Sequence, residues 1–310
     1  MKIAVMGAGA IGAYFGGRMA DAGHDVSFVA RGDHLSTMKA NGLKVTSPLG
    51  DFDINPVQAT DNPADIGVVD LILFMVKNYD TVAAAEQARP MVGPDTGVVS
   101  FQNGVDARDL LSAAFGAEHV MGGAALIPAS VPAPGVISHD GTIAKLVFGE
   151  FGETTSPRAE ALAEALASSG IDHQIHPDIE AMLWIKFIFL ASMTALNCMT
   201  RQTNDAVLGD PDIRALYVDA MHEVAAVAKA QGVVLPDSIV DDQLAFSDSF
   251  PAGVKTSMLQ DLERGKRLEV AHLSGTVARI GAELGVPTPI HRTAFAILKP
   301  FADGALATGG

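Results

Sequence analysis

The sequence contains one cysteine, Cys198, in 310 residues. A single thiol cannot form an intramolecular disulfide, and it excludes zinc sites built from several cysteines. No metal site is expected, because metal-ligand spacing is absent among His24, His34, His139, His173 and His176. These absences are typical of a reducing compartment, and we expect a cytoplasmic protein.

Positive charge is also scarce. The chain has 21 Lys and Arg against 36 Asp and Glu, a formal net charge of −15. Such a surface repels phosphate backbones and anionic membranes, so neither nucleic acid nor a membrane is an expected partner. The apolar run 182–199 is barely long enough to span a bilayer, and Lys186 within it costs about 3 kcal/mol at a membrane centre. We interpret the run as a buried helix.

Strand and helix patterns alternate in the first half of the chain. A short apolar run ending in glycine, KIAVMG, precedes the helical pattern AIGAYFGGRMADAG and a second strand, HDVSFVAR. Further strands are expected at 69–77 and 96–104, with helices at 79–89 and 105–115. The alternation predicts an α/β Rossmann-type doubly wound sheet. Short β runs from 119 to 148 are expected to add antiparallel edge strands.

After a helix at 156–169, strand signals disappear. Helical patterns fill the remainder, at 180–199, 210–231, 237–248, 254–264, 269–284 and 289–301. We therefore predict an α/β domain over residues 1–176 and an all-helical second domain over 177–310.

A glycine motif follows the first strand and begins the first helix. It has the GxGxxG pattern of dinucleotide-binding loops and consists of Gly7, Ala8, Gly9, Ala10, Ile11 and Gly12. The first glycine allows a sharp turn, the second a close approach of backbone to pyrophosphate, and the third close packing of helix on strand. The motif alone is also compatible with a tight turn without ligand, but its position between strand and helix favours dinucleotide binding.

The end of the second strand indicates which dinucleotide binds. NAD-specific folds usually place an acid there to hold the ribose diol, but this strand ends at Arg31. A guanidinium can pair with the 2′-phosphate of NADPH, so NADPH is the predicted cofactor. The alternative is that Arg31 is a solvated loop residue and that Asp33 binds the diol.

Two further polar residues, Lys77 and Asn103, follow predicted strands at the sheet edge where ligands bind. Each could instead be a turn residue, since Asn-Gly pairs form turns for local reasons.

Lys186 lies on a mostly apolar helix face, where burial would lower its pKa unless a carboxylate opposed it. The alternative is a snorkelling lysine whose stem covers apolar surface while its ammonium group stays in water. The candidate partners are Ser257 and Asp261 on one predicted helix, and Glu269 at the start of the next.

Together these segments resemble the ketopantoate reductase family, also called 2-dehydropantoate 2-reductase, within the 6-phosphogluconate dehydrogenase-like superfamily. The similarity extends over nearly the whole chain. It includes the opening IAVMGAGAIGAYFGGRMADAGHDVSFVARGDH, the motifs MVKNYDT and FQNGVD, the helix LWIKFIF, and SMLQDLERGKRLEVAHLSGTVARIGAELGVPTPIHRT.

The resemblance implies a role for each matching residue. Lys186 would be the general acid toward a keto oxygen, and Glu269 would bind a substrate hydroxyl and orient the lysine. Ser257 would bind the substrate carboxylate. Asn103 would lie between the nicotinamide ribose and Lys186, and Lys77 would help to fix that network.

One departure from the family pattern concerns specificity. Family members usually carry asparagines one and two turns after the catalytic lysine, where this chain has Leu190 and Thr194. The side chain of Leu190 cannot form a hydrogen bond, and Asn197 is a candidate to replace the missing asparagine. The expected substrate-binding residues are therefore Ser257, Thr194, Asn197 and Asp261. We expect NADPH-dependent reduction of a 2-oxo acid to a 2-hydroxy acid, with ketopantoate, and hence pantothenate synthesis, the first candidate.

Three alternatives stay open. A bulkier or less polar 2-oxo acid could be the substrate, the protein could bind NADPH as a sensor without turnover, or it could be an opine-type dehydrogenase that needs an amine. Helical second domains of this kind often mediate homodimers, but the sequence identifies no exposed apolar patch.

Overall fold

The structure is a computed structural model that describes residues 1–152 and 154–304. The chain divides into two compact units. The first comprises Met1–Gln102 and Ala107–Ile179; the second comprises Asn103–Asp106 and the described residues from Glu180 onward.

Parallel strands form the centre of the first unit. Its strands are, in chain order, β1 (Lys2–Met6), β2 (Asp25–Val29), β3 (Leu43–Thr46), β4 (Phe52–Ile54), β5 (Ala59–Thr60), β6 (Leu71–Phe74), β7 (Gly97–Ser100), β8 (Val120–Leu126), β9 (Ala129–Ala133), β10 (Val136–His139), β11 (Lys145–Glu150) and β12 (Asp172–Ile175). Among the described residues, eight of them form one sheet in the order β12-β11-β8-β7-β6-β1-β2-β5. The Rossmann-type fold expected from the alternating pattern is confirmed.

The segment 119–148 differs in detail from the expectation of simple antiparallel edge strands. β8 pairs parallel with β7 and antiparallel with β11, and β12 adds a parallel strand at the edge. β9 and β10 leave this sheet and form a second one with β3 and β4, in the order β4-β3-β10-β9. No local pattern predicts that sheet, because the pairing of β10 with β3 joins segments about ninety positions apart, as in the contact of Thr46 with Ile137.

Helices cover both faces of the main sheet. Those of the first unit are α1 (Ala10–Asp21), α2 (Gly32–Asn41), α3 (Thr81–Ala88), α4 (Ala107–Phe115) and α5 (Pro157–Ser168). Alternate residues of β1 point to opposite faces: Ile3 and Val5 pack in a core with α1 and α5, whereas Ala4 and Met6 pack in a core with α3 and α4. Burial on both faces explains why the central strands are continuous apolar runs.

Helices are the main elements of the second unit among its described residues. Its helices are α6 (Ile179–Thr200), of which only the first residue belongs to the first unit, α7 (Asn204–Gly209), α8 (Pro211–Ala230), α9 (Ile239–Asp248), α10 (Ser257–Glu263), α11 (Ser274–Leu284) and α12 (Pro289–Leu298). α6 is long and apolar enough to cross a membrane, with a hydropathy of 1.7, but 61% of that stretch is buried. It supplies the centre of the helical core, as the sequence predicted.

The chain passes from the first unit to the second between Ile179 and Glu180, close to the predicted boundary near residue 176, but one internal segment departs from that division. Residues 103–106 belong to the second unit although the chain on both sides of them belongs to the first. Val105 packs against the helical core. Polar contacts of Asn103 and Asp106 with the helical unit add to this packing.

Candidate functional site

The glycine loop joins β1 to α1. Gly7 has a φ of +101°, a left-handed conformation that favours glycine, and a Cβ there would approach Val76 Cγ1 to 2.8 Å. A Cβ on Gly12 would overlap the Gly7 carbonyl oxygen, so this residue keeps the helix close to the strand. Gly9 differs, because apart from its own chain neighbours no atom lies within 4 Å of where its Cβ would be.

The open space at Gly9 lies at the N-terminus of α1. Gly9 is the N-cap, and the first intrahelical bond runs from Ala13 N–H to its carbonyl oxygen at 2.8 Å. The N–H groups of Ala10 and Ile11 precede that bond and therefore have no acceptor within the helix. Donors at a positive helix end beside open space fit a pyrophosphate group.

Arg31 follows β2 and is the N-cap of α2. Its Nη2 donates to Asp80 Oδ2 at 2.6 Å, and its side chain is 81% exposed while that of Asp80 is 21% exposed. The ion pair orients a guanidinium that remains open to solvent on its other edge. Asp33, the alternative ligand for a ribose diol, is exposed in the first turn of α2.

Lys77 lies just after β6, as the sequence predicted, and is partly buried. A buried glutamine that the sequence analysis did not consider supports this loop. Gln102 Nε2 donates to Val76 O at 3.1 Å and to Thr81 Oγ1 at 2.7 Å. The amide therefore connects the backbone just before Lys77 and the side chain of Thr81 to the end of β7.

Lys186, Asn103 and Glu269 come together in the second unit. Lys186 Nζ donates to Asn103 Oδ1 at 3.2 Å. Burial lowers the pKa of Lys186 to about 8, and the negative charge of Glu269 opposes this shift. Glu269 is itself only 4% exposed. The arrangement provides an ammonium group that can lose its proton near neutral pH, next to an amide oxygen and a carboxylate.

The predicted position of Glu269 at a helix start is wrong. α11 begins at Ser274, and Glu269 precedes a turn in which its carbonyl oxygen accepts from His272 N–H at 2.9 Å and Leu273 N–H at 3.1 Å. Helical periodicity continues through the turn in the sequence, which explains the error. The Glu269 carboxylate therefore extends from a turn that precedes α11 and not from the start of that helix.

Ser257 and Asp261 both lie on α10, as predicted, Ser257 exposed and Asp261 partly buried. Thr256, the N-cap of that helix, donates its N–H to Asn197 Oδ1 at 3.4 Å. This contact places Ser257 beside the last turns of the α6 face that carries Lys186.

The polar atoms of Asn197 have backbone partners. Besides the contact with Thr256, its Nδ2 donates to Gln202 O at 2.9 Å, and the side chain is fully buried. Thr194 is also buried, but in the described part of the chain its Oγ1 has no hydrogen-bond partner. Leu190 is partly buried. Thr194 and Asn197 are the polar residues that could replace the family's asparagines. Of these two, only Thr194 has a side-chain polar atom without a hydrogen-bond partner among the described residues.

A cluster that the sequence analysis missed lies beside Asn103. Asp106 Oδ2 accepts from His272 Nδ1 at 3.0 Å and from Thr276 Oγ1 at 3.2 Å. The motif FQNGVD contains Asp106, but its partners lie 166 and 170 positions away. Only the folded chain reveals the contact.

Comparison with known proteins identifies the family. The sequence profile described as ketopantoate reductase PanE/ApbA matches residues 3–153, and the profile of its C-terminal part matches residues 178–302. The chain belongs to the ketopantoate reductase family. A 2-dehydropantoate 2-reductase from Mesorhizobium japonicum is 31% identical, over 97% of this chain and 98% of the relative. The resemblance of the motifs is thereby confirmed, and the chain is an oxidoreductase.

Solved structures of the ketopantoate reductase family share the fold. The 2-dehydropantoate 2-reductase of Geobacter metallireducens is 33% identical with a TM-score of 0.90, over 96% of this chain and 99% of that one. A D-mandelate dehydrogenase with NADH and anilino(oxo)acetate bound is 21% identical, with a TM-score of 0.88 over 97% of this chain and 98% of that one. At 21% identity, this likeness shows that the two proteins share a fold.

Proposed function

We propose that the protein is a cytoplasmic, NADPH-dependent reductase of a 2-oxo acid, with ketopantoate the first candidate substrate. The observation that carries the proposal is Lys186, a partly buried lysine with a lowered pKa that donates to Asn103 and faces the charge of Glu269. Membership of the ketopantoate reductase family supports the reaction type.

Lys186 is the general acid in this proposal. NADPH, when bound, supplies the hydride that is added to the keto carbon. The keto oxygen then gains negative charge and takes a proton from Lys186 Nζ, which yields the 2-hydroxy acid. A pKa of about 8 suits this task, because the lysine is protonated at neutral pH and still releases its proton readily. Asn103 and Glu269 hold the ammonium in position.

The cofactor would be held by the first unit. The glycine loop and the N-terminus of α1 fit its pyrophosphate, and the exposed edge of Arg31 is suited to a 2′-phosphate. Asn103 would lie between the nicotinamide ribose and Lys186, and Lys77 would help to fix that network. The proposal of NADPH over NADH rests on Arg31 and on the lack of an acid at the end of β2.

The substrate would lie along the α6 face between Lys186 and Ser257. Ser257 would bind the carboxylate of the 2-oxo acid. Thr194 Oγ1, buried and without a partner among the described residues, is a donor that a substrate oxygen could satisfy. Asp261 is proposed to contribute from α10, whereas Asn197 supports the site through its bonds to Gln202 and Thr256.

A less polar 2-oxo acid is the second candidate. Leu190 stands one turn after Lys186, and its neighbour Phe189 stacks on Phe250 at 5.3 Å between ring centroids. Phe246 packs edge-on against both rings and is 49% exposed. An apolar group beside the general acid favours a substrate whose side chain lacks a hydroxyl.

Oxidation of NADPH by the purified protein tests the proposal. Ketopantoate would be compared with 2-oxo acids that carry apolar or aromatic side chains, and NADH would be run in parallel. We expect Lys186→Ala to lower kcat by roughly 10²- to 10⁴-fold, the contribution typical of a general acid, while NADPH still binds. Arg31→Ala should raise the KM for NADPH by roughly tenfold and leave that for NADH unchanged.

Three results would contradict parts of the proposal. Turnover only with apolar 2-oxo acids would exclude ketopantoate and assign the specificity to Leu190. NADPH binding without turnover of any 2-oxo acid would favour a sensor. Turnover that requires an added amine would indicate an opine-type dehydrogenase.

A further inference from the structure

The Asp106 cluster consists of Asp106, His272 and Thr276. It connects the two chain segments that carry Asn103 and Glu269, the proposed partners of Lys186. Asp106 is three residues after Asn103, on the same four-residue segment of the second unit. His272 is three residues after Glu269, and its N–H bonds to the Glu269 carbonyl oxygen at 2.9 Å. The contact between Asp106 and His272 therefore joins the segment that carries Asn103 to the turn that carries Glu269.

The contact is well protected from solvent. The side chains of Asp106 and His272 are 13% and 22% exposed. Since a carboxylate accepts and does not donate, Nδ1 of His272 carries the hydrogen, and the hydroxyl of Thr276 on α11 donates the second bond. Hydrogen bonds to a charged acceptor are about twice as strong as those between neutral groups. Besides these bonds, Val105 anchors the segment by packing against the helical core.

We propose that Asp106 is a positioning residue of the active site. By accepting from His272 and Thr276, its carboxylate fixes the segment 103–106 against the Glu269 turn and so sets the distance from Asn103 Oδ1 to Lys186 Nζ. The expected effect of Asp106 on turnover rests on the proposed function. The expected effect on the titration of Lys186 does not, because it is measured without substrate.

A double-mutant cycle between Asp106 and Asn103 tests the proposal. Asp106→Ala should lower kcat by roughly tenfold with KM changed less than about twofold, because the amide oxygen that holds Lys186 is displaced. In an Asn103→Ala background, Asp106→Ala should have little further effect. Thr276→Val removes one hydrogen bond to Asp106 and no charge, so it should lower kcat by less than Asp106→Ala does.

A second readout needs no turnover. Lysines methylated with ¹³C-formaldehyde titrate individually by NMR, and the Lys186 signal is the one missing in Lys186→Ala. We expect Asp106→Ala and Asn103→Ala to move its titration to lower pH by roughly half a unit or more, because the ammonium loses an acceptor. In the double variant, the second substitution should add little.

Asp210→Ala is the matched control. Asp210 is a carboxylate of the same unit that also accepts two hydrogen bonds, from the N–H groups of Asp212 and Ile213 at 3.0 Å. Asp210→Ala removes one negative charge and two accepted hydrogen bonds, as Asp106→Ala does. We expect it to leave kcat and the titration of Lys186 unchanged. The proposal is overturned if Asp106→Ala leaves the Lys186 titration unmoved, or if its effect persists in full without Asn103. Absence of turnover in the parent would instead overturn the proposed function, and the NMR result would still decide this one.

Discussion

At the scale of the residue, the chemistry depends on the protonation of Lys186. Burial holds its pKa at about 8, below its ordinary 10.5, so the lysine carries its proton below pH 8 and loses it above. A general acid must begin protonated. The reduction should therefore be constant at neutral pH and decline above about pH 8, tenfold for each further unit.

Oxidation of the 2-hydroxy acid should show the opposite trend, because the lysine must then begin as a base. Measurement of kcat in both directions from about pH 6 to 10 checks the prediction. Lys186→Arg is the control, since a guanidinium stays protonated throughout this range and any residual reduction should lack the alkaline decline. A decline that persists in that variant would show that another group titrates.

At the scale of the element, two glycines at the start of α1 should differ in what they contribute. Gly12→Ala brings a methyl group into the Gly7 carbonyl oxygen and should destabilise the fold by about 1–3 kcal/mol. The methyl group of Gly9→Ala meets no atom beyond its chain neighbours, so the substitution should change stability by less than about 1 kcal/mol. Its methyl group fills the space proposed for pyrophosphate, so NADPH binding should weaken by roughly tenfold or more.

Thermal melts and fluorescence titrations with NADPH measure the two effects separately. If Gly9→Ala bound NADPH as tightly as the parent, the proposed cofactor position would be wrong.

The start of α12 is held by buried groups from two other helices. Glu223 on α8 accepts from the N–H groups of Ile290 and His291 at 2.8 and 3.0 Å. The His291 ring contacts Ser274 Oγ on α11 at 3.3 Å and Ala220 O on α8 at 3.2 Å. Burial lowers the pKa of His291 to about 4, so the ring is neutral in the folded protein at neutral pH.

This histidine should make the fold sensitive to acid. Between pH 6.5 and about 4 the unfolded chain binds a proton that the folded chain does not, so stability is complete above pH 6.5 and is lost as pH falls through that window. The loss should reach about 3 kcal/mol. Denaturant midpoints of the parent and His291→Gln measure it: the variant should lose less stability from pH 7 to 4, and parallel curves would contradict the prediction.

At the scale of the whole molecule, charge and burial together argue against association with membranes. The net charge is −15, and the helix that could cross a bilayer by length and composition supplies the core of the second unit. We expect the protein to stay in the supernatant when anionic vesicles are sedimented at about 0.1 M salt, with or without NADPH. Recovery in the vesicle pellet would show that an apolar surface is exposed in solution.

The sequence determined the features that depend on near neighbours. Strand runs and the glycine spacing of residues 7–12 predicted the dinucleotide-binding topology, because a sheet buried on both faces and a tight βα turn each require particular residues in consecutive positions. The charge of Lys186 in an apolar helix likewise marked the site within a single segment.

Only the tertiary structure decided how distant segments meet. The pairing of β10 with β3 and the contact of Asp106 with His272 join residues far apart in the chain, and no local pattern encodes such partners. The sequence also left open whether the pKa of Lys186 is lowered, because burial and a neighbouring carboxylate act on it in opposite directions. Desolvation in the packed fold decides the outcome, and the extent of that desolvation depends on long-range contacts.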